Sequence, residues 1–396
     1  MRFLACLLCI SLVNSASASW HRHTIDSESR GADGVRLADV NGDGWLDIVT
    51  GWEEGGIVRL CLHPGVEKVK SRWPGVTVGK VKSPEDALPF DVDGDGAVDI
   101  VSCCEGSTRA VYVHWAPQDA TRQLDSTAWT TEAFPETAQL QMWMFSAAMD
   151  IDGRNSLDLV VGAKGSKATV GWLQAPPNPR QLEQWKFRPM RGAGWIMSLI
   201  PWDADGDGDK DVLLSDRKGA IRGVYWLENP GKDRVLHADQ WDEHTLGGQR
   251  HEVMFLSLCD LDRDGREDVL AATFNSQILL LRRPLGSNWS QFAIKNPFDI
   301  PFGKAVAVGD MDLDGAPDIV HTAETKGQRL LPGVCWMSSE TGKVAGPWSG
   351  HDVSRDEGTK FDLVQLVDVD KDGDLDIITC EERHNLGVVW YENPTR

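Results

Sequence analysis

The chain has 396 residues, 41% hydrophobic and 25% charged, which is ample apolar material for a packed core. Its formal net charge is -20, and no basic stripe exists to neutralise phosphates, so nucleic acid is excluded as a partner. No apolar run is long enough to cross a bilayer, and no membrane span is expected.

Residues 1–18 read as a secretory signal: Arg2, the apolar run FLACLLCISLV, then Ala16 and Ala18 in an A-x-A arrangement before Trp20. The mature part, 19–396, is expected to be one domain that is secreted, periplasmic or held at the cell surface. Its cysteines are Cys61, Cys103, Cys104, Cys259, Cys335 and Cys380. Export permits disulfides without compelling them, and CxxC zinc spacing is missing. A buried free thiol is the reading preferred for Cys259.

From Trp20 onward the chain repeats. A tryptophan is followed five positions on by an apolar residue seven times, from Trp20/Ile25 and Trp73/Val78 to Trp348/Val353. An apolar stretch then leads into an acidic loop: DVNGDGWLD from Asp39, DVDGDGAVD from Asp91, DIDGRNSLD from Asp150, DADGDGDKD from Asp203, DLDRDGRED from Asp260, DMDLDGAPD from Asp310 and DVDKDGDLD from Asp368. After each loop comes a β-branched run, then a strand in which Val-x-Trp recurs at Trp115, Trp172, Trp226, Trp336 and Trp390.

No helical periodicity is long enough for a crossover, so the fold class is all-β. Loops spaced 50 to 59 residues apart leave room for a four-stranded antiparallel sheet in each unit. One such sheet cannot bury both faces, whereas seven packed radially can, which predicts a seven-bladed β-propeller. The chain opens on a tryptophan strand and stops just after a Val-x-Trp strand. The N-terminal strand is therefore expected to complete the last blade and close the ring without an exposed edge.

Numbered from its first aspartate, each loop is acidic or amide at positions 1, 3, 5 and 9, with glycine at position 6, in six copies. Alternate side chains on a tight loop converge on one point, and oxygen-only donors suit calcium. The expected ligands are Asp39, Asn41, Asp43 and Asp47; Asp91, Asp93, Asp95 and Asp99; Asp203, Asp205, Asp207 and Asp211; Asp260, Asp262, Asp264 and Asp268; Asp310, Asp312, Asp314 and Asp318; and Asp368, Asp370, Asp372 and Asp376. About six Ca2+ sites follow. The third loop departs, with Arg154 at position 5 and Asn155 at position 6, and Arg154 is expected to stand in for the metal there. Together with PFGKAVAVGDMD from Pro301, these loops resemble the FG-GAP or VCBS repeat family, which includes the integrin α-subunit propeller. The resemblance implies a propeller with calcium loops, and the family spans adhesion receptors, glycan-binding modules and some polysaccharide lyases.

The acidic loops join the first and second strands of each blade, so they share one face. Residues that break the repeat on the other face are the candidates for ligand contact: Trp52, Trp143, Trp195, Arg250, His251, Glu252, Lys304, Lys360, Arg383 and His384. Tryptophans there could stack on sugar rings or pack internally. The expected function is a non-catalytic module that binds a glycan or protein ligand on this second face. The alternative is a polysaccharide lyase or hydrolase using the same face, although GxSxG, HExxH and a nucleotide loop are missing.

Overall fold

Seven four-stranded antiparallel sheets make up the protein in a computed structural model, which describes residues 19–238, 241–283, 288–328, 330–339, 344 and 346–396. The secretory leader read at residues 1–18 lies outside the described residues. Blade 1 takes the strands Ala32–Ala38, Asp47–Trp52, Ile57–Cys61 and Gly75–Gly79 in chain order. Blades 2 to 6 repeat that order, with first strands Pro84–Phe90, Met142–Met149, Ile196–Trp202, Val253–Cys259 and Gly303–Gly309. Blade 7 has Phe361–Val367, Asp376–Glu381 and Gly387–Glu392, and His21–Asp26 from the other end of the chain supplies its fourth strand. The closure read from the sequence is therefore observed, with His23 opposite Trp390 and Arg22 opposite Tyr391.

First strands of neighbouring blades pack against one another all the way round, blade 7 against blade 1 included, so they line the axis. Second strands are wholly buried: DIVTGW, DIVSCC, DVLLSD, DVLAAT, DIVHTA and DIITCE are covered at every residue. A sheet sandwiched between two blades has no solvent face, which is why these strands read as continuous apolar runs. The recurring residues are packing devices. His23, His244 and His351 each stack on the tryptophan opposite, Trp390, Trp226 and Trp336, with ring centroids 4.5, 4.0 and 3.9 Å apart. All six cysteines of the described residues are free thiols, and five are buried.

Candidate functional site

The seven acidic loops connect first to second strands and so share one face. Their ninth aspartates, from Asp47 to Asp376, are buried. In loop 2 Asp99 accepts the backbone N–H of Val92 at 3.2 Å and of Ala116 at 2.7 Å; in loop 7 Asp376 accepts those of Val369 and Asn393. Position 9 thus clamps its own loop to the connector between the third and fourth strands. Burial pushes the carboxyl of Asp99 up to about 7 and that of Asp376 up to about 8. Glycine at position 6 sits at positive φ, as at Gly96 (φ 91) and Gly373 (φ 99), where a side chain would be strained.

A family resemblance implies calcium in these loops, and the residues fit it. In loops 2, 3, 4 and 5 three carboxylates each bring an oxygen within 4.8 Å of the others. Buried carboxylate oxygens of Asp209, Asp310, Asp368, Asp370 and Asp374 have no hydrogen-bond donor. Acceptors without donors, surrounded by like charge, are what a hard cation requires. The expectation for Arg154 is corrected: its side chain is exposed and makes no ion pair among the described residues, while the Gln174 amide donates to Asp152 at 2.6 Å. Arg154 lies in the loop tip, so its side chain extends into solvent instead of back over the carboxylates.

The opposite face forms a mouth around the axis. Its backbone repeats: the N–H six residues after the ninth aspartate donates to the carbonyl eight residues before the loop. Glu53 to Gly31, Glu105 to Ser83, Arg217 to Trp195, Phe274 to Glu252, Glu324 to Phe302 and Glu382 to Lys360 do so at 2.7 to 3.1 Å. The residues eight before each loop differ in every blade, namely Gly31, Ser83, Met142, Trp195, Glu252, Phe302 and Lys360, whereas those six after the ninth aspartate are glutamate in four blades. Two residues further into the first strand stand Asp33, Glu85, Met144, Met197, Met254, Lys304 and Asp362 in blade order, so three methionines adjoin four charges.

The charged arc runs from Lys304 of blade 6 through blades 7, 1 and 2 to Lys164 of blade 3. Lys304 pairs with buried Asp362, Lys360 with Glu382, and Lys164 with Glu105, at 3.7 Å also facing Glu85. Asp33, Glu53 and Glu85 converge to within 4.8 Å of one another. Burial, then the nearby Asp362 carboxylate, pushes Asp33 up to about 7. Burial likewise raises Glu85 well above the carboxylate range. Asp362 is held low in spite of burial because Lys304 and Lys360 face it.

The other arc, on blades 3 to 6, is aromatic and cationic. Half-buried Trp195 has Lys164, Arg217 and Lys218 at 4.5, 4.6 and 4.7 Å from its ring centroid. Arg217 also lies 4.4 Å from the Phe274 ring and 3.0 Å from Glu252. Phe274 and Phe302 meet at 4.7 Å, with Lys326 3.5 Å from the Phe302 centroid.

Of the residues picked from the sequence, Trp195, Glu252, Lys304 and Lys360 come together at this mouth. Arg250 and His251 lie on its rim, where His251 contacts Asn275, and Arg383 and His384 are exposed in a turn capped by buried Glu381. Trp52 and Trp143 are corrected: both are fully buried. The edge of Trp52 abuts the backbone at Gly387 of blade 7, and Trp143 donates to the Thr137 carbonyl at 3.1 Å. Sequence reading missed Asp33, Glu53, Glu85, Glu105, Lys164, Arg217 and Asp362; counting six residues on from each ninth aspartate would have found four of them.

Residues 260–321 match the FG-GAP-like repeat family model, from the fifth acidic loop to the second strand of blade 6. The same spacing governs the other blades, and the chain is a seven-bladed propeller built on FG-GAP-type repeats. A search of curated proteins finds no match. Among solved structures, BBS1N in complex with ARL6DN is similar over 95% of this chain and 97% of that one, at 11% identity and TM-score 0.55 in a mercury-soaked crystal. A lead-soaked crystal of the same complex gives 10% identity and TM-score 0.54, over 95% and 98% of the two chains. An Agrocybe aegerita lectin that recognises non-reducing terminal N-acetylglucosamine matches at 17% identity and TM-score 0.46, over 83% of this chain and 81% of that one. At 10–11% identity the likeness to the BBS1N structures is one of fold.

Proposed function

We propose that this chain is an exported, calcium-stiffened binding module that holds a glycan or protein ligand at the mouth opposite its acidic loops and performs no reaction on it. One observation carries the reading: the backbone pattern repeated around the mouth bears, eight residues before each loop, a different side chain in every blade, whereas the loop face repeats its side chains too. A ring needs sameness to close; difference at equivalent places serves something asymmetric. The ligand would meet rings and cations on one arc and carboxylates on the other, a surface suited to polar groups presented on an extended scaffold. Calcium would be held by positions 1, 3, 5 and 9 of the loops, supplying rigidity at a distance from the ligand.

The test is a glycan array together with affinity capture from the protein's own extracellular milieu. Retention of a ligand by the parent, lost in Lys218→Glu and Trp195→Ala but kept in a loop variant such as Asp312→Asn, is the expected result. Loss in the loop variant with the mouth variants unaffected would place the receptor on the wrong face.

A further inference from the structure

Two arginines reach into acidic loops from elsewhere in the fold. Arg180 sits on the connector between the third and fourth strands of blade 3, yet its guanidinium enters loop 2 of the neighbouring blade. Nε faces Asp93, and Nη2 lies 3.3 Å from Asp95. The guanidinium carbon lies 4.2 Å from the Trp115 ring centroid, which holds the side chain over the loop. In blade 5, Arg282 ends the third strand. Its Nη2 faces Asp262 and lies 3.6 Å from Asp264, and its Nε is 3.7 Å from Asp268. These are positions 3, 5 and 9 of loop 5, the same carboxylates that calcium would need.

We propose that Arg180 and Arg282 are the resident cations of loops 2 and 5, standing where calcium stands in loops 1, 4 and 6, whereas in loop 7 Lys70 lies 3.2 Å from Asp370; this rests on the calcium reading of those loops. The register explains why blade 5 differs. Leu281 pairs with Val269, which puts Arg282 beside the ninth aspartate, Asp268. Counting the same register places Leu62, Trp115, Gln174, Glu228, Ser338 and Glu392 at that position in the other blades, and none is a cation. Loop 6 shows the contrast: among the described residues no lysine or arginine pairs with Asp310, Asp312, Asp314 or Asp318, and a buried oxygen of Asp310 has no donor.

The two occupants exclude each other. Calcium takes six to eight oxygens around a sphere, whereas a guanidinium engages two or three carboxylates with its planar fork. A calcium ion on Asp93 and Asp95, or on Asp262 and Asp264, would sit against a fixed positive charge. A cation tethered by the chain needs no free metal, so loops 2 and 5 stay closed at calcium concentrations that leave the others empty.

The experiment uses the full mature chain, stripped with a chelator and titrated with Ca2+ by calorimetry, with bound calcium counted by elemental analysis after dialysis. Arg180→Gln and Arg282→Gln are each expected to gain one calcium equivalent over the parent, the double variant two, and Asp312→Asn to lose one. Each arginine variant should also show a larger calcium-induced rise in melting temperature than the parent, so a variant folded only with calcium still reports. Equal stoichiometry in the parent and the arginine variants, with calcium bound to all, overturns the proposal and leaves the calcium reading standing. No calcium on any of them removes both.

Discussion

The loop face and the mouth both concentrate carboxylates, and they handle the charge in opposite ways. On the loop face each cluster comes from nine consecutive residues, and the ninth aspartate is tied down by backbone N–H groups, as Asp376 is by Val369 and Asn393. At the mouth the clusters are assembled across blades: Asp33 and Glu53 of blade 1 meet Glu85 of blade 2, and Lys164 of blade 3 answers Glu85 and Glu105. Local clusters can be copied seven times because each is complete within its own repeat. Clusters built between repeats differ from blade to blade, and only they can distinguish one ligand from another.

The largest effect should come from removing calcium. Each site that binds only the native state contributes about 2.7 kcal/mol when free metal is a hundredfold above its Kd, and several loops add. Chelation followed by thermal unfolding is expected to lower the melting temperature by many degrees, with no comparable response from mouth variants. A melting temperature indifferent to chelator would leave the loops as turns held by hydrogen bonds alone, and the contrast between the faces would lose its metal half.

Next in size is the buried pair at the mouth. Lys304→Met leaves Asp362 buried with only Lys360, 3.9 Å away, and should cost about 3–5 kcal/mol in chemical unfolding. Blades 3, 4 and 5 carry Met144, Met197 and Met254 at the equivalent place, so the scaffold accommodates the side chain and the cost is electrostatic. The double change Lys304→Met with Asp362→Met should recover most of it. A single variant as stable as the parent would show that the charged arc is solvated and exchangeable.

This difference between local and assembled clusters also decides what could be read beforehand. Blade number, ring closure and the acidic loops were legible because each rests on spacing inside one repeat: Trp20 with Ile25, or Asp39 with Asp47. The mouth was legible only where a residue stood out by type, as Trp195 and Lys360 did. Asp33 and Lys164 look ordinary in sequence, and their significance comes from facing residues of other blades. Trp52 and Trp143 misled for the same reason, since what covers a strand end is set by the adjoining blade. Arg154 is in a loop yet points away, while Arg180 and Arg282 arrive from outside their loops; sequence neighbourhood was the wrong measure of distance.

The third effect is on pH dependence. Asp33, buried and beside Asp362, keeps its proton up to about pH 7, whereas in the unfolded chain it releases it near the ordinary aspartate value of 3.8. Between those values the folded state binds the extra proton, so this group's contribution is fully present below the lower value and is lost as pH rises to about 7. Unfolding free energies measured across that window for the parent and Asp33→Asn should differ in slope, the variant's being less steeply falling. Parallel curves would mean that Lys304 and Lys360 ionise Asp33 throughout.

The smallest effect on stability should accompany the largest on recognition. Lys218 is exposed, makes no ion pair among the described residues, and lies 4.7 Å from the Trp195 ring centroid, so Lys218→Glu should change stability by no more than about 0.5 kcal/mol. Yet it reverses a charge on the aromatic arc, where Lys164 and Arg217 are already engaged by Glu105 and Glu252. Lys218 is thus, with Lys326, one of two exposed cations on that arc that no carboxylate pairs with among the described residues. If ligand retention on an array survives this reversal unchanged at low salt, where exposed charges act over the longest range, then recognition runs through the carboxylate arc, and Glu53→Gln becomes the variant that should abolish it.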